Sequence, residues 1–195
     1  MLSFINYNLY FLACQVLAAS AMLTPCTLRD VCSELYIYAD NSFFLNLGND
    51  RPNISTSVHR MKNASDFDAL KPHLNLNVTV NEDPKTIIFM NTVKLVQHSC
   101  RYIKGLVRKC IDYIYAHRSS KDKRKVMWRF HAGKIQILIA TEAAGIGADI
   151  PDIEVAIQFG IPSSLSIFKQ HIGWAGCWSD IQAWAILLVE QKMFE

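Results

Sequence analysis

From about residue 85 onward the chain alternates short apolar runs with amphipathic stretches of helical period. Lys85 to Met90, Ile111 to Tyr115, Ile135 to Ala140, Ile153 to Phe159 and Ala183 to Val189 have the length and branched or aromatic content of buried strands. Between them, Thr92 to Val107, Ser119 to His131 and Ser163 to His171 repeat apolar positions at helical spacing. Alternation of this kind predicts an α/β fold, a parallel sheet with helices on both faces. Right-handed crossovers follow, and ligands bind beyond the carboxyl ends of the strands. The first part of the chain is less regular. Leu9 to Leu17 suits a buried strand, and Thr24-Pro25 punctuates it. Thr27 to Tyr38 places Leu28, Val31, Cys32 and Leu35 on one helical face, and Phe43 to Leu47 reads as a short strand. The turn-rich run from Gly48 to Asn53 marks a boundary between residues 1–47 and 48–195. Ile54 to Met61 is expected to be extended, and Asp66 to Leu74 a short helix.

At 195 residues, 51% hydrophobic and 19% charged, the chain has enough apolar material for a core. That composition excludes a disordered tail, a collagen-like repeat and a long coiled coil. The net charge of +3 is small, but it is unevenly placed. Arg118 to Lys134 holds seven basic residues against Asp122 alone, a local +6 that leaves the remainder at −3. A block like that is either a solvated helix face or a contact for phosphates. Six cysteines lack any C-x-x-C pair, so zinc and thioredoxin-type spacings are absent and a reducing compartment is the simpler expectation. No charged residue precedes Arg29, Ala19-Ser20-Ala21 resembles a signal-peptidase site, and sequons begin at Asn53, Asn63 and Asn77. These features keep a secreted or membrane-anchored chain as an alternative. Against it, the segment has no basic start, and Asn6, Asn8 and Gln15 interrupt its apolar run.

Several segments, taken in order, carry a family resemblance. Gly145-Ile146-Gly147-Ala148-Asp149-Ile150-Pro151-Asp152-Ile153, preceded by Ile139-Ala140-Thr141, resembles helicase motif V in its RecQ form. Thr86 to Thr92 resembles motif IV, Tyr115-Ala116-His117 the step between the two, and Arg51-Pro52-Asn53-Ile54 the opening of the second motor domain. Ala19 to Leu23 is similar to the S-A-T of motif III. The chain thus resembles RecQ-like superfamily 2 DNA helicases over about residues 10–190. The resemblance implies a RecA-like second motor domain at 48–195, preceded at 1–47 by the end of a first one. It also implies ATP and Mg²⁺ at the interface of two motor domains, a single-stranded or duplex DNA backbone as partner, and roles in DNA recombination and repair. A nuclear or other intracellular location and no membrane contact belong to the same expectation. Carried over by motif, Thr141 contacts DNA phosphate, with Asn91, Thr92 and Arg118 on the same track. Gly147, Asp149, Gln170 and Gly173 border the nucleotide, with Gly145 shaping the same loop.

Each of these residues also has a purely structural role open to it. Thr141 can cap a turn, Gly145 and Gly147 can serve a tight loop, and Asp149 can be a turn residue. His117 can be a hydrogen-bonded structural histidine, and Lys121 to Lys125 a solvated helix start.

Departures from the family pattern are as informative as the matches. Motif VI reads Q-x-x-G-R-x-G-R in the family; here Gln170 to Cys177 keeps the glutamine and both glycines, but Trp174 and Cys177 stand at the arginine positions. Neither an indole nor a thiol supplies the charge and bidentate geometry that a transferring phosphoryl group requires. Met22 replaces the threonine of S-A-T. No G-x-x-x-x-G-K-[ST] and no acidic D-E-x-H box occur, so the phosphate cradle and the Mg²⁺ ligand are missing from this sequence. The expectation is a helicase fragment that is inactive alone and depends on a polypeptide supplying the first motor domain. The alternative is a non-enzymatic DNA- or protein-binding module, for which Trp174 and Trp178 at an exposed edge offer contacts.

Overall fold

A computed structural model of the chain describes residues 2–6, 16–20, 24–46, 51–74, 84–106, 111–142, 150, 152–178 and 180–194. It divides into two compact units, residues 1–51 and 52–195. In the first, β1 (Leu2–Asn6) lies between β2 (Val16–Ser20) and β3 (Ser42–Asn46), antiparallel to both. Most of the strand expected at Leu9 to Leu17 falls outside the described residues. The helix of this unit, α1, spans Pro25–Glu34 and so starts earlier than its apolar spacing implied. Thr24 caps it, its hydroxyl accepting from the Thr27 N–H at 3.2 Å. Pro25 is tolerated because an N–H at the first helical position has no partner in the helix. Tyr36, at φ 52°, ends the helix before Tyr38. Ile37 is buried against Ala18, Leu28 and Cys32.

The second unit is built on six parallel strands in the order β4-β9-β8-β5-β7-β6. These are β4 (Ile54–Met61), β5 (Thr86–Met90), β6 (Ile111–Ile114), β7 (Ile137–Thr141), β8 (Val155–Phe159) and β9 (Ala183–Glu190). The helices are α2 (Val93–Leu106), α3 (Ser120–His131) and α4 (Leu165–Ile172). β5, β7 and β8 are buried along their whole length, as strands covered on both faces must be. Their side chains alternate between two cores. On one face Ile88, Met90, Ile139, Ile157 and Phe159 meet Val96, Cys100 and Ile103 of α2. On the other, Ile87, Phe89, Leu138 and Ala156 meet Val126 and Phe130 of α3.

The α/β reading of residues 85–190 therefore holds, with element ends shifted by one or two positions. The short helix expected at Asp66 to Leu74 is a 3-10 helix over Phe67–His73. Pro72 has no N–H to give to a carbonyl four residues back, which favours the shorter turn. Among the described residues, no helix is long and apolar enough to cross a membrane.

Candidate nucleic-acid interface

The parallel register brings three strand ends together, with Met90 level with Thr141 on one side and with Phe159 on the other. The residues beyond them, Asn91-Thr92, Glu142 and Gly160-Ile161, therefore lie along one edge. Asn91 and Thr92 are exposed there, while Thr141 is buried at the end of β7. The Thr92 hydroxyl accepts from the Leu95 N–H at 3.2 Å and so caps the start of α2, whose first turn carries no acid. The N-terminus of a 14-residue helix, with its unpaired N–H groups and positive dipole end, is thereby presented at this edge.

Behind the edge runs a buried polar relay. Gln158 is a buried amide in an otherwise apolar strand. Its Nε2 donates to Asn91 Oδ1 at 3.1 Å and to the Gly160 carbonyl at 3.0 Å, and Asn91 Nδ2 donates to the Ile161 carbonyl at 2.8 Å. Oε1 of Gln158 is left as the acceptor for His171, whose Nδ1 donates to it at 2.6 Å. The imidazole lies flat on Phe89, ring centroids 3.8 Å apart, and burial lowers its pKa to about 4. Gly160 has φ 85°, and a Cβ there would sit 3.1 Å from Asn91 Nδ2. The loop after β8 is thus pinned to the loop after β5 through groups contributed by β8 and α4.

Arg118 is already engaged. It pairs with Asp112 at 3.1 Å, donates to the Tyr113 carbonyl and lies over the Tyr113 ring. Asp112 also holds Arg129 at 3.2 Å, so one acid ties α3 to β6. His117 is exposed after β6.

The motif VI segment forms the end of α4 and the turn after it. Gln170 is exposed on the last turn, and Gly173 caps the helix, its N–H donating to the Lys169 carbonyl at 3.0 Å. Trp174 is not at an exposed edge as expected. It is half-buried and meets Phe89 edge-on at 6.2 Å. Trp178 is exposed. The Cys177 thiol is directed to the carbonyls of Gly173 and Trp174. At the two arginine positions, one side chain packs on the core and the other turns back on its own helix end, so this turn does not fit a triphosphate. Gly145, Gly147 and Asp149 lie outside the described residues. Among the described residues, no cluster of three metal-binding side chains occurs.

Two features at the opposite, amino end of the sheet escaped sequence reasoning. Asn53 Nδ2 donates to the carbonyls of Gly176 at 2.8 Å, Ile181 at 3.0 Å and Trp178 at 3.3 Å. A glycan on this nitrogen would displace those bonds, so the first sequon does not serve as an acceptor in this fold. Gly176 has φ 57°, and a Cβ there would stand 2.7 Å from the same nitrogen. Lys85, expected as a strand residue, lies just before β5 with 7% of its side chain exposed. Its ammonium donates to Asp152 at 2.5 Å and to the His131 carbonyl at 3.2 Å. The asparagine had a signal, its place in the Arg51-Pro52-Asn53-Ile54 segment; the lysine had none.

The profile of the helicase conserved C-terminal domain matches residues 66–179. The chain belongs to that family. Among relatives of this helicase C-terminal domain is RecS of Bacillus subtilis, named as a probable ATP-dependent DNA helicase, 31% identical over 161 residues. R290 of Acanthamoeba polyphaga mimivirus, which carries the name of an ATP-dependent RNA helicase, is 30% identical over 162 residues. Each match covers 83% of this chain but only 31% and 28% of the relative, so the helicase C-terminal domain here spans about a third of those proteins. The RecA-like fold is shared with Saccharomyces cerevisiae Dbp5, solved bound to RNA and ADP BeF3. That match has a TM-score of 0.73 and 19% identity, covering 88% of this chain and 44% of Dbp5. Relatives named for DNA and for RNA stand side by side, so the similarity establishes a superfamily 2 helicase C-terminal domain and not its RecQ-like form.

Proposed function

We propose that the chain is the backbone-gripping second half of a RecQ-like, ATP-dependent 3′→5′ DNA helicase, bringing no hydrolytic activity of its own. The observation that carries this reading is the aligned edge at the carboxyl ends of β5, β7 and β8, where Thr92 presents the N-terminus of α2. Phosphates suit such an edge, because helix N–H groups and short hydroxyl or amide side chains donate to them without reading sequence. Asn91, Thr92 and Thr141 form the contact track, and Arg118 stands beside it paired with Asp112. Gly147, Asp149, Gln170 and Gly173 border the interface with a first motor domain, which supplies the ATP and Mg²⁺ site. Residues 1–47 are the end of such a domain. Trp174 and Cys177 make this half a passive grip: the pair contributes no cation to a γ-phosphate.

A second reading, with RNA as the strand, is favoured by the similarity to R290. Fluorescence anisotropy with labelled single-stranded DNA and RNA of one sequence separates the two. Binding is expected to weaken steeply between about 50 and 200 mM salt, to favour DNA, and to ignore ATP. Tighter RNA binding selects the second reading, and no binding of either strand at low salt overturns both. A response to ATP overturns the passive role.

A further inference from the structure

α3 buries Val126 and Phe130 and leaves Lys121, Arg124, Lys125 and Trp128 exposed. Residues three, four and seven apart share one helical face. The three cations and the indole therefore form a stripe roughly 10 Å long at 1.5 Å per residue. From the following turn Lys134 sets its ammonium over the Trp128 ring, 4.5 Å from the centroid. Neighbouring cations are occupied within the fold: Lys123 donates to the Ala116 carbonyl at 2.5 Å, and Arg118 and Arg129 hold Asp112. Among the described residues, no ion pair engages Lys121, Arg124 or Lys125. Trp128 is 59% exposed, so it contributes little to the core beneath the helix.

Solvation alone explains a row of lysines and arginines; the indole in their midst has Lys134 over its ring yet stays 59% exposed. A polyanion that also carries flat rings uses both, since phosphates take the cations and a base stacks on the indole. We propose that the outer face of α3 is a docking surface for single-stranded DNA. Lys121, Arg124 and Lys125 receive successive phosphates, and Trp128 is the stacking platform. A second copy of the chain would bring the same positive stripe and be repelled. An acidic peptide would match the charge and leave the indole unused. None of the strand-end residues takes part, so this surface stands or falls separately from them.

The test uses the full chain and a fluorescein-labelled oligodeoxythymidylate, read by anisotropy, with poly-glutamate as the baseless polyanion. Trp128→Ala is expected to weaken oligonucleotide binding about tenfold and leave poly-glutamate binding unchanged. The triple variant K121E/R124E/K125E is expected to weaken both. It also flattens the dependence of log affinity on log salt by about 2, at roughly 0.7 per phosphate lost. The substituted positions are exposed, and circular dichroism of each variant checks that the fold is kept. If Trp128→Ala leaves oligonucleotide affinity unchanged, or if poly-glutamate matches the oligonucleotide, the proposal is overturned. Loss of binding in Thr92→Ala and Thr141→Ala, without loss in either α3 variant, sinks this surface and keeps the strand-end grip. The reverse pattern does the opposite.

Discussion

At the amino end of the six-stranded sheet, closure rests on strong, directional partners. Asn53 spans three carbonyls of the 176–181 turn, and the Lys85 ammonium is sunk between Asp152 and the His131 carbonyl. At the carboxyl ends of β5 and β8 the loops are joined by neutral groups: two amides, one uncharged imidazole and a glycine with positive φ. Neutral amides fix the loops there beside the N-terminus of α2. The amino end, by contrast, uses an ion pair with a buried lysine.

The sharpest way to break this comparison is Asn53→Ala, which leaves the carbonyls of the 176–181 turn without their shared donor. It is expected to cost about 4 kcal/mol in chemical denaturation. A loss below that of the carboxyl-end changes would mean that the amino end is not the stronger closure.

Next comes the pH dependence from His171, whose folded pKa of about 4 lies below the ordinary 6.5. Between those values the unfolded chain binds more protons than the folded one, so stability rises with pH. The contribution is complete above about pH 6.5 and is lost progressively as pH falls toward 4, amounting to about 3 kcal/mol. Denaturation of the wild type and His171→Gln across that window should show the difference between them shrinking on acidification. A constant difference would mean that the imidazole is not held neutral by burial.

Asp152→Asn follows, at about 2 kcal/mol, because it leaves the buried Lys85 ammonium without its counter-charge. Adding Lys85→Met to it should recover most of that loss, and no recovery would show that the ion pair is not what closes this end. The smallest effect is expected of Gly160→Ala, about 1 kcal/mol, from positive φ and the approach to Asn91. Thermal unfolding resolves it, and a neutral result would loosen the description of the carboxyl loops as pinned.

What the sequence revealed of this arrangement depended on range. Buried parallel strands such as Ile87–Met90 and Ile137–Ala140 announce themselves by unbroken apolar runs, and the α2 face by Val96, Cys100 and Ile103 at helical spacing. The helix start expected at Ser119 has a local basis, since the Ser119 hydroxyl accepts from the Asp122 N–H at 3.1 Å. Asn91 and Gln158 are 67 residues apart, and nothing periodic joins them. Their meeting depends on strand order, which no window of sequence contains. Gln158 did carry a mark, a lone amide in an apolar run, and such a residue demands a partner once buried. Trp174 illustrates the converse: its loss of the arginine role was legible from the motif, but its packing on Phe89 was not. The α3 stripe was visible as charge, whereas the place of Trp128 within it required the helix to be seen.

The pairing of β4 with β9 also dictates an order of events during synthesis. Among the described residues β4 is an edge strand paired with β9, and the Asn53–Gly176 bond closes a separation of 123 residues. Until β9 leaves the ribosome, the first strand of this unit has no ladder to join, while β5, β7 and β8 can already assemble. Loop closure of that span is entropically late and slow. In the interval β4 is an unpaired strand, open to a chaperone or to the wrong neighbour.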